Sequence, residues 1–111
     1  MEGWGRGLAM FYIRRVETPE GLVMVLVTDE DVMERAVYDE ERGVRIIVSR
    51  SFYGGSLGTE ADAIKTIEKA DIIVLTGEKS VSIGVRMGLV NPDSVLEVKG
   101  IKQVQVFKFS Y

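Results

Sequence analysis

The residue types best suited to form a binding site cluster in one short segment, residues 49–55, with the sequence SRSFYGG. Its two glycines free the backbone to take a positive φ or to approach another group closely, and its two aromatic rings offer flat surfaces for stacking. We expect Gly54 or Gly55 to have a positive φ. The alternative is a structural turn whose aromatic side chains fill the gap between a sheet and a helix. The candidate binding residues of this segment are Arg50, Phe52, Tyr53, Gly54 and Gly55.

The composition excludes most catalytic chemistry. The 111 residues include no histidine and no cysteine, which removes the usual general base near neutral pH, the thiolate nucleophile and metal sites built on nitrogen or sulfur. Carboxylate, lysine or tyrosine chemistry and an oxygen-only cation site remain available. The spacing of the acids identifies no catalytic pair and no metal site. We therefore assign no catalytic residue, no metal and no cofactor, and we favour a role other than catalysis.

The charged residues are segregated along the chain, although the net charge is only −3. Residues 29–41 contain seven acids and a single arginine. With this acidic segment turned away, the basic side chains would form a face suited to the phosphates of RNA. The alternative is ordinary solvated surface with ion pairs between strands. The basic side chains of the predicted face are Arg14, Arg15, Arg45, Arg50, Lys102 and Lys108.

A second candidate site follows an apolar run, at Thr76-Gly77-Glu78-Lys79-Ser80. The order of strand, glycine, lysine-serine and helix is similar to a phosphate-binding loop, but the true motif needs an adjacent Gly-Lys, and here Glu78 intervenes. A helix that begins after Gly77 can still bind an anion through its free amide groups. One alternative function is therefore a small-ligand or anion-binding protein at this helix start, with or without catalysis. Another is a structural subunit that oligomerises through its C-terminal strand.

Hydrophobic patterns place these candidates among alternating strands and helices. We predict strands over residues 8–16, 22–27, 44–48, 72–75, 95–98 and 103–111. Helices are predicted from Asp29 to about Tyr38, from Glu60 to Ala70 after a capping box at Thr59 and Asp62, and from Gly77 to near Gly88. Together they predict an α+β fold, a small two-layer sandwich in which a mixed or antiparallel sheet packs against two or three helices.

The length of the chain is that of one domain. The glycine-rich residues 1–7 are predicted to form a flexible tail, and residues 8–111 a single α+β domain. No apolar run approaches the roughly 18 residues that a membrane span needs, and the start of the chain lacks the apolar core of a signal peptide. We therefore expect a cytoplasmic protein without a membrane partner.

Several short motifs follow one another in a distinctive order. They are Ser49 with Phe52-Tyr53-Gly54-Gly55, then Gly77-Glu78, then Gly88-Leu89-Val90 with Pro92 and Val95, and finally Gly100-Ile101 with Gln105. Over about residues 9 to 105 this order resembles the archaeal family called domain of unknown function 424. The sequence departs from the family pattern near its end, where Lys99, Lys102 and Gln103 stand in place of glycine, proline and histidine. The resemblance implies a small two-layer α+β fold, no assigned activity and a loose association with translation and ribosome genes.

We interpret the chain as a non-catalytic interaction module that docks RNA or a translation-related partner, such as a ribosome-associated protein. Docking would use the segment 49–55, the basic strands and the glutamine that the family pattern retains. The candidate binding residues outside the segment are Arg45, Lys102 and Gln105.

Overall fold

A six-stranded mixed sheet forms the centre of the fold in the computed structural model, which describes residues 9–108. In chain order the strands are β1 (Met10–Glu17), β2 (Val23–Asp29), β3 (Ala36–Asp39), β4 (Val44–Ile47), β5 (Ser56–Thr59), β6 (Ile72–Thr76), β7 (Leu96–Val98) and β8 (Ile101–Phe107). The large sheet has the order β5-β1-β2-β6-β8-β7, and β3 pairs with β4 in a separate small sheet. Within the large sheet β2 and β6 run parallel, and the other neighbouring strands run antiparallel.

Three helices accompany these sheets: α1 (Arg50–Tyr53), α2 (Glu60–Glu68) and α3 (Glu78–Arg86). Short 3-10 turns are formed by Glu30–Val32 and Pro92–Ser94. The predicted α+β class, with a mixed sheet packed against helices, is confirmed. The predicted tail at residues 1–7 lies outside the described residues. None of the helices within residues 9–108 is long and apolar enough to cross a membrane.

The helices α2 and α3 pack on one face of the large sheet, which we call the helix face. Alternate residues of the two central strands point to it, and Val25, Val27, Ile73 and Leu75 are fully buried there. Ile67 of α2 belongs to the same apolar cluster. Each such side chain stabilises the fold by about 1.5–3 kcal/mol when it leaves water, so this cluster is the main source of cohesion between sheet and helices.

The predicted start of α2 is confirmed in detail. Thr59 Oγ1 accepts a hydrogen bond from the backbone N–H of Asp62 at 3.2 Å, and the Asp62 carboxylate accepts one from the Thr59 N–H at 2.9 Å. The bond from the Thr59 backbone is the main reason that the pKa of Asp62 lies below its usual value. A reciprocal cap of this kind satisfies two donors that a helix start otherwise leaves without partners.

The small sheet replaces a predicted helix. The helix expected from Asp29 to about Tyr38 is wrong, because Glu30–Val32 forms a 3-10 turn and the chain then enters β3. Glu34 has a φ of 68°, which an α-helix does not allow, and its backbone N–H donates to the Val48 carbonyl at 2.7 Å.

The reason for this outcome is burial. Val37 and Ile46 pair directly across β3 and β4, and both side chains are buried against the large sheet. This non-local gain outweighs the acidic residues that suggested a helix start, because helix propensity is a weak preference that packing overrides. The apolar cluster formed here, on the face opposite to α2 and α3, contains Val32, Met33, Val37, Ile46, Val48, Val98 and Ile101.

The prediction of a positive φ at Gly54 or Gly55 is wrong. Gly54 has a φ of −70° after the single turn of α1, and Gly55 is not among the glycines with positive φ. Both are instead sites of close backbone approach. A Cβ on Gly54 would lie 2.5 Å from the carbonyl oxygen of Arg50, and a Cβ on Gly55 would overlap the carbonyl group of Ile13 in β1. Glycine is therefore required here by packing of the chain on itself.

We expect Gly55→Ala to lower the free energy of unfolding by about 1–3 kcal/mol, because the added methyl group must push β1 and the end of α1 apart. The exposed Ser51→Ala, in the same helix, is the matched control and should unfold within about 0.5 kcal/mol of the parent protein. Thermal and denaturant unfolding measure both. An unchanged Gly55→Ala midpoint would show that β1 and α1 are not held in this contact.

Candidate functional site

The segment 49–55 lies over β1 and β2 on the face opposite to α2 and α3, which we call the α1 face. Arg14 Nη1 donates to the Ser51 carbonyl at 2.7 Å, and the Tyr53 hydroxyl accepts from Gln103 Nε2 at 3.0 Å. These two bonds attach α1 to strands at different positions in the large sheet. The predicted binding segment is therefore fixed on the sheet, with Phe52 left 47% exposed.

Arg50 adds a third attachment through its guanidinium group. Its Nε lies 2.7 Å from Glu34 Oε2, and its Nη1 donates to the Tyr12 hydroxyl at 3.4 Å. The guanidinium carbon lies 5.3 Å from the centre of the Tyr12 ring, within range for a cation–π contact. The bond to Glu34 is the main cause of a raised Arg50 pKa. Arg50 thus stays charged, and its guanidinium group is paired with Glu34 of the acidic residues 29–41.

A row of polar side chains crosses the centre of the large sheet beneath α1. Tyr12, Thr28, Thr76 and Gln103 are direct neighbours on β1, β2, β6 and β8. Both threonines are fully buried. Gln103 Nε2 donates to Thr76 Oγ1 at 2.9 Å as well as to the Tyr53 hydroxyl. The row therefore links the middle of the sheet to the aromatic pair of α1, and sequence analysis did not predict that the two threonines are neighbours in it.

The hydroxyl group of Thr28 stands out within this row. Its Oγ1 is buried and has no hydrogen-bond partner in the part of the chain that the structure describes. A buried hydroxyl without a partner costs about 1–3 kcal/mol, so valine would be the more stabilising choice at this position. Gln103, whose amide binds Thr76 and Tyr53, occupies the position at which the family pattern suggested a histidine.

The predicted basic face is not assembled. Alternation along the strands places Arg14 on the α1 face and places Arg15, Lys102 and Lys108 on the helix face. Each of the three cations on the helix face already has a partner there. Arg15 lies 3.7 Å from Glu17, Lys102 lies 3.3 Å from Glu78, and Lys108 Nζ donates to the Ile67 carbonyl at the end of α2. Arg45 is exposed on β4 of the small sheet.

The predicted binding residues therefore do not form one site, and Arg45 on the small sheet is apart from the others. Arg50, Phe52 and Tyr53 lie on the α1 face together with the exposed Gln105 of β8, whereas Lys102 lies on the helix face. Gly54 lies close to the backbone of Arg50 in α1, and Gly55 brings the chain after α1 close to β1. Within residues 9–108, no cluster of acidic side chains is arranged to hold a metal ion.

The second predicted site, at the start of α3, is occupied by the protein itself. The Asp29 carboxylate accepts from the backbone N–H groups of Lys79 and Ser80, each at 2.8 Å, and from the Ser80 hydroxyl at 2.6 Å. Asp29 is only 4% exposed, and a Cβ on Gly77 would overlap its carboxylate. The expectation of an anion site at Gly77 is thus corrected, because an internal carboxylate takes the amides that an anion would need. Asp29 and Ser80 are 51 residues apart in the sequence, so no local signal predicted this contact.

The geometry defines a small α+β domain with a mixed sheet, an internally capped helix and a polar row beneath one aromatic turn. The chain belongs to the family described as Protein of unknown function (DUF424), whose model matches residues 16–109. No curated protein matches it. A crystal structure of an uncharacterized conserved protein from Methanopyrus kandleri is similar, with a TM-score of 0.70, 22% sequence identity, and coverage of 93% of this chain and 97% of that chain. At this identity the likeness shows the fold alone.

We expect Asp29→Ala to lower the free energy of unfolding by about 2 kcal/mol or more, because it removes the cap of α3 and leaves buried donors without an acceptor. Asp31→Ala, an exposed acid two residues further on, is the matched control and should be nearly neutral. Chemical denaturation compares the two. Equal stability of both variants would show that the carboxylate of Asp29 does not hold α3.

A paired substitution tests the polar row. Thr28→Val should raise the free energy of unfolding by about 1 kcal/mol, because a methyl group replaces a buried hydroxyl that has no partner. Thr76→Val should lower it by a similar amount, because Gln103 loses an acceptor. The two variants have the same shape change in adjacent strands, so opposite shifts of the unfolding midpoint are the expected result. Destabilisation by Thr28→Val would mean that its hydroxyl is satisfied in solution.

Proposed function

We propose that the protein is a non-catalytic interaction module that binds single-stranded RNA on the outer surface of its sheet. This surface is the part of the α1 face beyond the polar row. It consists of two further rows of side chains, and its members with accessible surface are Arg14, Val16, Met24, Ile72, Gln105 and Phe107, with Phe52 at the border.

The observation that carries this proposal is the pair of exposed aromatic rings on one face. Phe52 is 47% exposed and Phe107 is 56% exposed, and exposed apolar surface grouped on one face of a protein is typical of binding sites. Phe52 packs edge-on against Tyr53, with ring centres 5.2 Å apart, and Tyr53 is in turn bonded to Gln103. One ring is thus held in place by the polar row, as a stacking platform requires.

Polar groups next to the rings suit nucleotides. Gln105 lies two residues before Phe107 on β8, so both side chains are on the same face. Gln105 is exposed, and its amide can donate to and accept from a base edge. Arg14 and Arg50 are the cations beside Phe52, and each is already bonded within the protein. Stacking and amide recognition would therefore supply most of the binding free energy, and phosphate attraction a smaller share.

Fewer residues take part in the proposed site than the sequence suggested. It keeps Arg50, Phe52, Tyr53 and Gln105 as binding or positioning residues and leaves Lys102 aside, because Lys102 lies on the opposite face. A translation-related partner and a cytoplasmic location remain predictions that RNA binding would agree with.

Fluorescence anisotropy with a short labelled oligouridine tests the proposal. Phe52→Ala should weaken binding by roughly fivefold to 150-fold, the loss expected for one stacked base, and should leave the melting temperature nearly unchanged because the ring is exposed. Lys102→Ala is the control on the opposite face and should bind like the parent protein. The logarithm of the binding constant should fall with the logarithm of the salt concentration with a shallow slope of about −1 to −2, since two arginines face the ligand.

Two results would overturn the proposal. One is the absence of saturable RNA binding at low salt. The other is binding that weakens equally in Phe52→Ala and Lys102→Ala, with a steep salt dependence, which would indicate diffuse attraction to surface cations in place of a site on the α1 face.

A further inference from the structure

A cleft of about 380 Å³ opens on the helix face, away from the outer surface proposed for RNA. It lies between α3, the 3-10 turn at Pro92–Ser94 and the hairpin of β7 and β8. Its floor is apolar, with Val81, Val85, Pro92 and Val95. Val85 is 37% exposed, whereas Val81 and Ile83 of the same nine-residue helix are buried. The cleft is therefore lined by apolar side chains and is large enough to hold one or two side chains of a partner.

Three charged side chains stand at its rim in the order acid, base, acid. Lys102 lies 3.3 Å from Glu78 on α3, and Glu97 is the direct neighbour of Lys102 across β7 and β8. The rim of two carboxylates and one ammonium group carries a net charge of −1. The nearby Arg42 does not offset it, because its guanidinium group is paired with Asp39 at 2.7 Å.

Charge and shape together select the occupant. An apolar floor with an acidic rim attracts an apolar side chain that has a cation beside it, and it repels phosphates and acidic segments. The Glu78 side chain is 74% exposed and makes a long bond to Lys102, so it can turn to an incoming cation at little cost. Glu97 lines the cleft, and the bond that Arg42 donates to this residue goes to its backbone carbonyl and not to its carboxylate.

We propose that this cleft docks a short segment of another protein in which apolar side chains are flanked by lysine or arginine. The apolar side chains fill the valine floor, and the flanking cations reach Glu78 and Glu97. The site is independent of the outer surface, because the two lie on opposite faces of the sheet.

Titration of isotope-labelled protein with the peptide acetyl-Gly-Lys-Leu-Leu-Lys-Gly-amide, followed by NMR, tests the site. We expect saturable shifts of the backbone amides of Ser82, Val85 and Glu97. Glu97→Lys should weaken binding about tenfold, because an attraction becomes a repulsion. Glu68→Lys makes the same change at an exposed position of α2 outside the cleft and should bind like the parent protein. Val85→Ser should also weaken binding, since it removes part of the apolar floor.

Two control peptides separate the contributions. Replacing the leucines by serine removes the apolar part, and replacing the lysines by glutamate reverses the charge; both changes should abolish the shifts at the cleft. Equal binding of the serine peptide, shifts that map outside the cleft, or equal affinity of Glu97→Lys and Glu68→Lys would overturn the proposal. Phe52→Ala should leave peptide binding unchanged and Glu97→Lys should leave oligouridine binding unchanged, so failure of either site is distinguishable from failure of the other.

Discussion

The buried carboxylate of Asp29 is the contact on which the arrangement of the sheet and α3 depends. Asp29 is the last residue of β2, and its carboxylate accepts hydrogen bonds from backbone N–H groups at the start of α3. This one charged group therefore fixes α3 to β2, the strand that pairs with β6. A charge that is 4% exposed is tolerable only with such partners. Gly77 belongs to the same arrangement, since any side chain there would collide with the carboxylate. With α3 held in this way, Val81 and Ile83 enter the core and Val85 remains at the cleft.

The two faces of the large sheet are covered by different elements, and each face carries one of the two proposed binding sites. The helix face is closed by α2 and α3 and leaves a cleft with an acidic rim at one side. The opposite face is closed at one end by the small sheet and α1, whose contacts with Glu34, Tyr12 and Gln103 are polar and specific. The remaining part of that face exposes aromatic and amide groups. The strand alternation that separates these surfaces also explains why basic residues close in sequence do not form one patch.

The features of the fold that depend on residues close together in the sequence were predicted correctly. The capping box at Thr59, the apolar strands around Val25 and Ile73, and the α+β class follow from periodicity and capping, and the structure agrees. The wrong predictions concern features that depend on contacts between residues far apart in the sequence. Val37 forms a strand because Ile46 is available to pair with it, Gly55 is needed because β1 passes beside it, and the amides at Gly77 are taken by a carboxylate from β2. The polar row was missed for the same reason, since Thr28, Thr76 and Gln103 become neighbours only through strand order.

The parallel pairing of β2 with β6 has a consequence for how the protein forms. These neighbours are separated by residues 30–71, which contain the small sheet, α1, β5 and α2. The loop between them must close before the centre of the sheet exists, and such long-range closure slows folding. The hairpin of β1 and β2 can form early, because its strands are joined by a short turn. The bond from Gln103 to Tyr53 requires β8 to lie in the sheet, so a chain in which β6 and β8 have not yet joined the sheet lacks this contact between the polar row and α1.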